Sequence, residues 1–290
     1  MTGVQTCALP IFLIDVAAAG IGNWDELARI GSWRIGGPAP MALGTEAAGT
    51  IAAAGSEVTA MRAGDEVITH PLPLRRHGTW ARRVLAPAAT VALRPPEASW
   101  EACGAFPIPA LTAAQALDEA LGIESGDWVV VNGAGGVTGG LLVQLAAHRG
   151  ARVIATASAK KAERIRGYGA AEVLDYHGDW PALAREITAG GAAEAVNAAP
   201  RGAADTLKAV ADGGRLATIT GDPPQEIRGV AVSDVYVRPD GRQLAAMAEL
   251  LARGTLTVPI ASVRPLEQAA QALREVVAGA DGAIVLSLRT

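Results

Sequence analysis

Cysteine, aromatic side chains and runs of like charge are all scarce in this chain. There are two cysteines, Cys7 and Cys103, and no Cys-x-x-Cys, which excludes a disulfide framework and a cysteine-type zinc site. Aromatic residues make up 4% of the 290 positions, so a core has to be built from aliphatic side chains and alanine. No block of Lys and Arg offers a nucleic-acid surface, and the formal net charge is −4. No apolar run is long enough to span a bilayer. The four histidines, His70, His77, His148 and His177, are scattered, and each reads as a surface or capping residue. What remains is a chain of two-domain length, half of it hydrophobic, which reads as a soluble cytoplasmic protein.

Glycine, by contrast, is abundant, and its densest cluster organises the chain. Residues 128–131 are an apolar run suited to a buried strand, followed by Asn132-Gly133-Ala134-Gly135-Gly136-Val137-Thr138-Gly139-Gly140. Leu141, Leu142, Leu145 and Ala146 then recur at helical spacing, Gly150 suits a left-handed stop, and a second apolar run follows at 153–157. This is a strand, Gly-loop, helix, strand unit. Glycines let a backbone approach a pyrophosphate, and a helix N-terminus supplies unpaired N–H groups and a positive dipole end. The loop is not a strict Gly-x-Gly-x-x-Gly. It has Gly133, Gly136 and Gly139 three apart, with Gly135 and Gly140 added.

Around it, residues 12–100 read as short strands, at 12–18, 44–51, 67–68, 78–85 and 90–93, a pattern for a small barrel or sandwich. Residues 101–122 are Ala-rich and helical, with Pro107 and Pro109 as a break. From 126 to 221 strands (128–131, 152–157, 172–175, 193–198, 215–220) alternate with helices (138–149, 160–168, 180–189, 202–211), which predicts a doubly wound parallel sheet. Helices near 241–253 and 265–278 precede a last strand at 283–288. Residues 1–11 match, codon for codon, the translation of a common sequencing adapter read from a GTG start. They are expected to be an assembly scar that replaces a native N-terminal hairpin, to pack poorly, and to make Cys7 non-native.

In order and spacing these pieces resemble the zinc-independent, quinone oxidoreductase-like branch of the medium-chain dehydrogenase/reductases. The resemblance is carried by Ala17–Asp25, Gly44-Thr45-Glu46-Ala47-Ala48-Gly49 with Gly55, Gly64-Asp65-Glu66-Val67, Leu111-Thr112-Ala113-Ala114, Asn132–Gly139 with Gln144-Leu145-Ala146, and Val237–Gly241. It implies a GroES-like barrel domain at 12–100, incomplete at its start, a Rossmann NADP-binding domain at 101–230, a C-terminal segment at 231–290 returning to the barrel domain, a cleft between the domains, and a homodimer. Zinc-dependent relatives place Cys where this chain has Gly22 and His where it has Thr45, so the ligands of a catalytic zinc are missing. Without that Lewis acid, a quinone or an α,β-unsaturated carbonyl fits as hydride acceptor. An enoyl-thioester reductase of the same fold, or an idle NADPH-binding protein, are the alternatives.

Asn23 and Thr45 are the polar groups expected to face substrate, and water is the default proton donor. The cofactor site is expected at Gly133, Gly135, Gly136, Val137, Thr138 and Gly139. An NAD site wants an acid about 20 residues past the loop, for the ribose hydroxyls. Here that point reads Ala157-Ser158-Ala159-Lys160-Lys161, with no acid, which favours NADP(H). By resemblance Lys161 and Tyr176 meet the 2′-phosphate with Ser158 beside them, and Thr112 meets the cofactor's other end. The chain departs from the family at Gly22, at Ala81-Arg82-Arg83 and at Ala195-Val196-Asn197, where an Asp-rich strand is usual.

Overall fold

A computed structural model describes residues 10–33, 40–72, 74 and 77–289. The expectations for residues 1–9, Cys7 among them, lie outside the described residues. In chain order the elements are β1 (Ile11–Ile21), α1 (Asn23–Arg29), β2 (Ala47–Ala54), β3 (Glu66–Thr69), β4 (Arg83–Pro87), β5 (Val91–Leu93), α2 (Trp100–Gly104) and α3 (Pro107–Ala114). Then come β6 (Trp128–Asn132), α4 (Val137–His148), β7 (Arg152–Ala157), α5 (Ala159–Gly167), β8 (Ala170–Asp175), α6 (Trp180–Ile187), β9 (Ala192–Asn197), α7 (Ala203–Ala209), β10 (Val210–Thr218) and β11 (Ala231–Asp234). The chain closes with α8 (Gly241–Ala252), β12 (Ile260–Pro265), α9 (Ala269–Val277) and β13 (Ala283–Ser287). It divides into two compact units: Met1–Ile108 with Pro239–Gly254 and Val258–Thr290, and Pro109–Arg238 with Thr255–Thr257.

The first unit is built on a seven-stranded sheet in the order β12-β13-β1-β2-β3-β5, with β4 also on β1. One edge of β1 is shared: residues 11–15 pair β4 and residues 18–21 pair β13, while β2 takes the other edge. Alternate residues of β1 therefore point into one core. Phe12, Ile14 and Val16 meet Ile51, Val67, Val84 and Val91 there, as the period of a strand requires. All pairings are antiparallel except β12 with β13.

One sequence expectation is corrected in this unit. The strand placed at 78–85 starts at Arg83, because Gly78–Trp80 crosses residues 42–44: Gly78 N donates to Ala42 O at 2.8 Å and Trp80 N to Leu43 O at 2.9 Å. A side chain at 78 would overlap the Leu43 carbonyl. Pro107 and Pro109 stand at a break, as expected: α2 ends at Gly104 and Pro107 opens α3, where a proline in the first turn has no N–H to lose. That helix runs into a π-turn at Gln115–Leu121, stopped by Gly122 at φ 59°. The strand Ile260–Pro265 and the helix Asn23–Arg29 were not foreseen. The strand's burial alternates weakly along an edge, and the helix is short.

The second unit is an all-parallel sheet in the order β11-β10-β9-β6-β7-β8. The order reverses between β6 and β9, and ligands of such sheets bind at the carboxyl ends of the strands at that point. Val130, Ile154, Ala195 and Leu216, one from each of four strands, pack with Trp180 and Leu207 in its core.

Candidate functional sites

In the parallel unit, β6 delivers the glycine loop to the switch point. Gly133 has φ +88°, and a Cβ there would lie 2.8 Å from the backbone of Ala198 and Ala199. At Gly139 a Cβ would overlap the Gly133 carbonyl, so the helix can sit on the loop only with glycine there. Gly136 is the extended N-cap of α4; it is exposed and has almost open space around it. Val137 and Thr138, the first helical residues, are partly exposed. Their N–H groups belong to the first turn, which has no intrahelical acceptors, and the dipole end is positive there. The cradle fits a pyrophosphate.

At the end of β7, Ser158 caps α5 in extended conformation without a side-chain bond to the helix. Lys161 Nζ donates to the Gly135 carbonyl at 3.0 Å, and Arg164 Nη2 reaches the same oxygen at 3.5 Å. Arg164 was missed in the sequence, although it stands three residues after Lys161 on one helix face, a spacing that could have found it. Tyr176, half exposed at the end of β8, stacks on His177 with ring centroids 4.0 Å apart. Lys161 and Arg164 thus reach the loop, and no carboxylate stands among residues 156–161. Thr112 is buried inside α3, not at its cap.

Beneath the loop lies a buried amide and hydroxyl network that the sequence analysis did not foresee. Thr156 Oγ1 accepts from Gly133 N at 2.9 Å and donates to Asn132 Oδ1 at 2.6 Å. Asn132 Nδ2 donates to Asn197 Oδ1 at 3.1 Å and to Thr206 Oγ1 at 2.9 Å. Asn197, at the departure from the usual Asp-rich strand, is wholly buried.

In the first unit, Asn23 is exposed at the start of α1, while Thr45 is wholly buried. Their neighbours carry most of the unit's strong electrostatics. Asp25 accepts from Gly22 N at 2.9 Å. Burial pushes its carboxyl up to about 7, against the opposing N–H groups of Gly22 and Gly44. Burial also lifts Glu46 well above the carboxylate range, opposed by its bond from Ile108 N and reinforced by Asp25. His70 is not a surface residue. It is wholly buried, its Nδ1 donates to the Thr45 carbonyl at 2.6 Å, and burial pushes the imidazole down to about 4. It is therefore neutral near pH 7, with a bare lone pair on Nε2. That nitrogen, Thr45 Oγ1, Thr79 Oγ1 and Trp24 Nε1 are buried without a protein partner.

Two family models match the chain: an alcohol dehydrogenase GroES-like domain over residues 11–96 and a zinc-binding dehydrogenase domain over 168–286. The chain belongs to the medium-chain dehydrogenase/reductase family. Among curated relatives, 2-methylene-furan-3-one reductase of Solanum lycopersicum is 33% identical over 57% of this chain and 44% of its own length. Quinone oxidoreductase of Sus scrofa is 28% identical over 95% of this chain and 88% of its own. The first of these alignments thus spans less than half of the relative. Among solved structures, an NAD-dependent alcohol dehydrogenase superposes with TM-score 0.88 at 28% identity, covering 100% of this chain and 95% of that one. A mycobacterial protein complexed with NADPH gives 0.85 at 26%, covering 99% and 94%.

The name of the second family model makes zinc a question for the residues themselves. At position 22 a side chain would overlap the Trp24 ring. Thr45 offers a hydroxyl, not an imidazole. Among the described residues no group of three His, Cys, Asp or Glu side chains is placed to hold a metal ion. Cys103 is buried, and burial pushes its thiol up to about 11, far from the thiolate a metal needs. The residues present do not fit a catalytic zinc.

Proposed function

We propose that this chain is an NADPH-dependent oxidoreductase that transfers hydride to a quinone or an α,β-unsaturated carbonyl without zinc. The observation that carries the cofactor assignment is the end of β7, where Lys161 and Arg164 reach the Gly135 carbonyl, Ser158 caps the same helix and no acid stands among residues 156–161. A 2′-phosphate is an acceptor-rich dianion that wants such donors, whereas a ribose 2′-hydroxyl wants a carboxylate. The names of the tomato and pig relatives, an enone reductase and a quinone oxidoreductase, support the acceptor class.

NADPH supplies the hydride when bound. The chain's own groups do the rest. The first turn of α4 and the glycines of the loop bind the pyrophosphate, Tyr176 closes over the 2′-phosphate end, and Thr112 meets the other end. Asn23 and Thr45 are the polar groups proposed for the substrate. A hydroxyl such as Thr45 Oγ1, held in a dry site, stabilises an oxygen that gains negative charge. With His70 neutral, water is assigned the proton. The protein is proposed to act as a homodimer, which light scattering of the purified chain reads directly. The activity is tested by following reduced nicotinamide over a panel of quinones, enones and enoyl thioesters. Turnover of quinones or enones supports the reading. Turnover of thioesters alone would reassign the substrate, and binding without any turnover would make the chain an idle NADPH-binding protein.

A further inference from the structure

The amide network under the glycine loop does more than fill space. Asn197 is a hub with two faces. Its Oδ1 accepts from Asn132 Nδ2 at 3.1 Å, from Ala199 N at 3.3 Å and from Thr206 Oγ1 at 3.3 Å. Its Nδ2 donates to Ala199 O at 3.1 Å, Thr218 Oγ1 at 3.3 Å and Thr220 Oγ1 at 2.8 Å. On one side the chain of bonds continues through Asn132 and Thr156 to Gly133 N. On the other it continues through Thr218 and Thr220 to Asp222. Gly202 lets the hub form, because a Cβ there would lie 2.7 Å from both Asn132 Nδ2 and Asn197 Oδ1. The network thus ties together the loops that follow β6, β9 and β10, at the carboxyl ends where a ligand of such a sheet sits. Every polar atom of the hub is bonded, and a fully satisfied buried network fixes one arrangement.

We infer that Asn197 is a positioning residue for the dinucleotide. Its carboxamide, by accepting on one face and donating on the other, holds the Gly133 loop and the 218–222 loop in the single register that binds NADPH. The inference rests on the cofactor reading above. An amide is required, since a carboxylate has no donor for Ala199 O and the threonines, whereas a protonated carboxyl has one. The one titratable group facing the hub in these bonds is Asp222 on the loop after β10. Glu194, on the same strand, is engaged by Arg215 at 2.8 Å and lies three residues nearer the strand's start.

The sign follows. Asn197→Asp places a carboxyl at a wholly buried position, with Asp222 one threonine hydroxyl away, so its pKa is raised and its neutral, donor-bearing form is favoured at low pH. The NADPH Kd of Asn197→Asp relative to wild type should be about tenfold or more worse near pH 8 and should fall toward unity as pH drops to about 5.5. Taking the ratio at each pH removes the titration of the cofactor's own phosphate. Asn197→Ala should show the loss at every pH, and Thr156→Ser should bind like wild type where Thr156→Val does not. A flat ratio for Asn197→Asp, or wild-type affinity in Asn197→Ala, overturns the inference. If Asn197→Asp does not fold near pH 8, Thr156→Val and Thr220→Val decide: each must raise the Kd severalfold, and unchanged affinity in either overturns it. Wild-type protein that binds no NADPH at all would instead refute the cofactor reading.

Discussion

At the residue scale, the chemistry is set by which side chains keep a charge and which give it up. Lys161 and Arg164 both donate to a loop carbonyl. Lys161→Ala should weaken NADPH by about 1.5–3 kcal/mol, the range for a charged hydrogen bond, and change NADH little; equal losses for both, measured by fluorescence titration, would remove the 2′-phosphate assignment. Asp25 is the opposite case, a carboxyl that burial pushes up to about 7. Its folded pKa lies above an unfolded value of about 3.9. Its contribution is therefore full below that value and is lost as pH rises through about 7. Glu46 has the same sign, and His70, pushed down to about 4, has the reverse. Relative to wild type, Asp25→Asn should gain stability with rising pH between about 4 and 7, by at most about 1.4 kcal/mol per pH unit. Parallel urea-melt profiles for the two proteins would show that Asp25 does not titrate in this window.

At the element scale, the helix α4 and its loop depend on contacts that only glycine allows. Gly139→Ala drives a Cβ into the Gly133 carbonyl, and overpacking of this kind costs about 1–3 kcal/mol. A thermal melt should fall and NADPH affinity with it; an unchanged melt and affinity would mean the loop relaxes freely. Thr112→Val in α3 should raise the NADPH Kd at unchanged melting temperature if the hydroxyl meets the cofactor. This scale is also where the sequence was most legible. The strands β6 to β9 and the helices α4 to α7 were foreseen to within a few residues, because buried strands and amphipathic helices each carry their own period, while β10 starts earlier than expected and β11 had no expected bounds. The antiparallel unit was less so. Its strands are short, and Gly78–Trp80 is placed by a crossing with residues 42–44 that no local pattern encodes. Side-chain networks were the least visible of all. The Gly loop announces itself by composition, but the Thr156, Asn132 and Asn197 hub joins residues up to 65 positions apart. His70 was read as a surface or capping residue because a lone histidine carries no sign of the carbonyl it meets.

At the scale of the whole molecule, two units with different architectures carry the two halves of the proposed reaction: a parallel sheet whose loop is proposed to bind a dinucleotide, and a mainly antiparallel sheet whose unit bears Asn23 and Thr45. The residues at the two positions that matter for zinc, Gly22 under the Trp24 ring and Thr45, lead to the expectation that purified protein contains no stoichiometric metal by elemental analysis and loses no activity to a chelator. Zinc that leaves together with activity would contradict that part of the account. The most direct test of the central claim is a steady-state comparison of NADPH and NADH as hydride donors to one quinone and one enone, with chelator-treated protein. The account predicts turnover of at least one acceptor, with kcat/KM for NADPH above that for NADH by about tenfold or more, the ratio worth about 1.4 kcal/mol. Turnover that prefers NADH, or none with either donor, would contradict it.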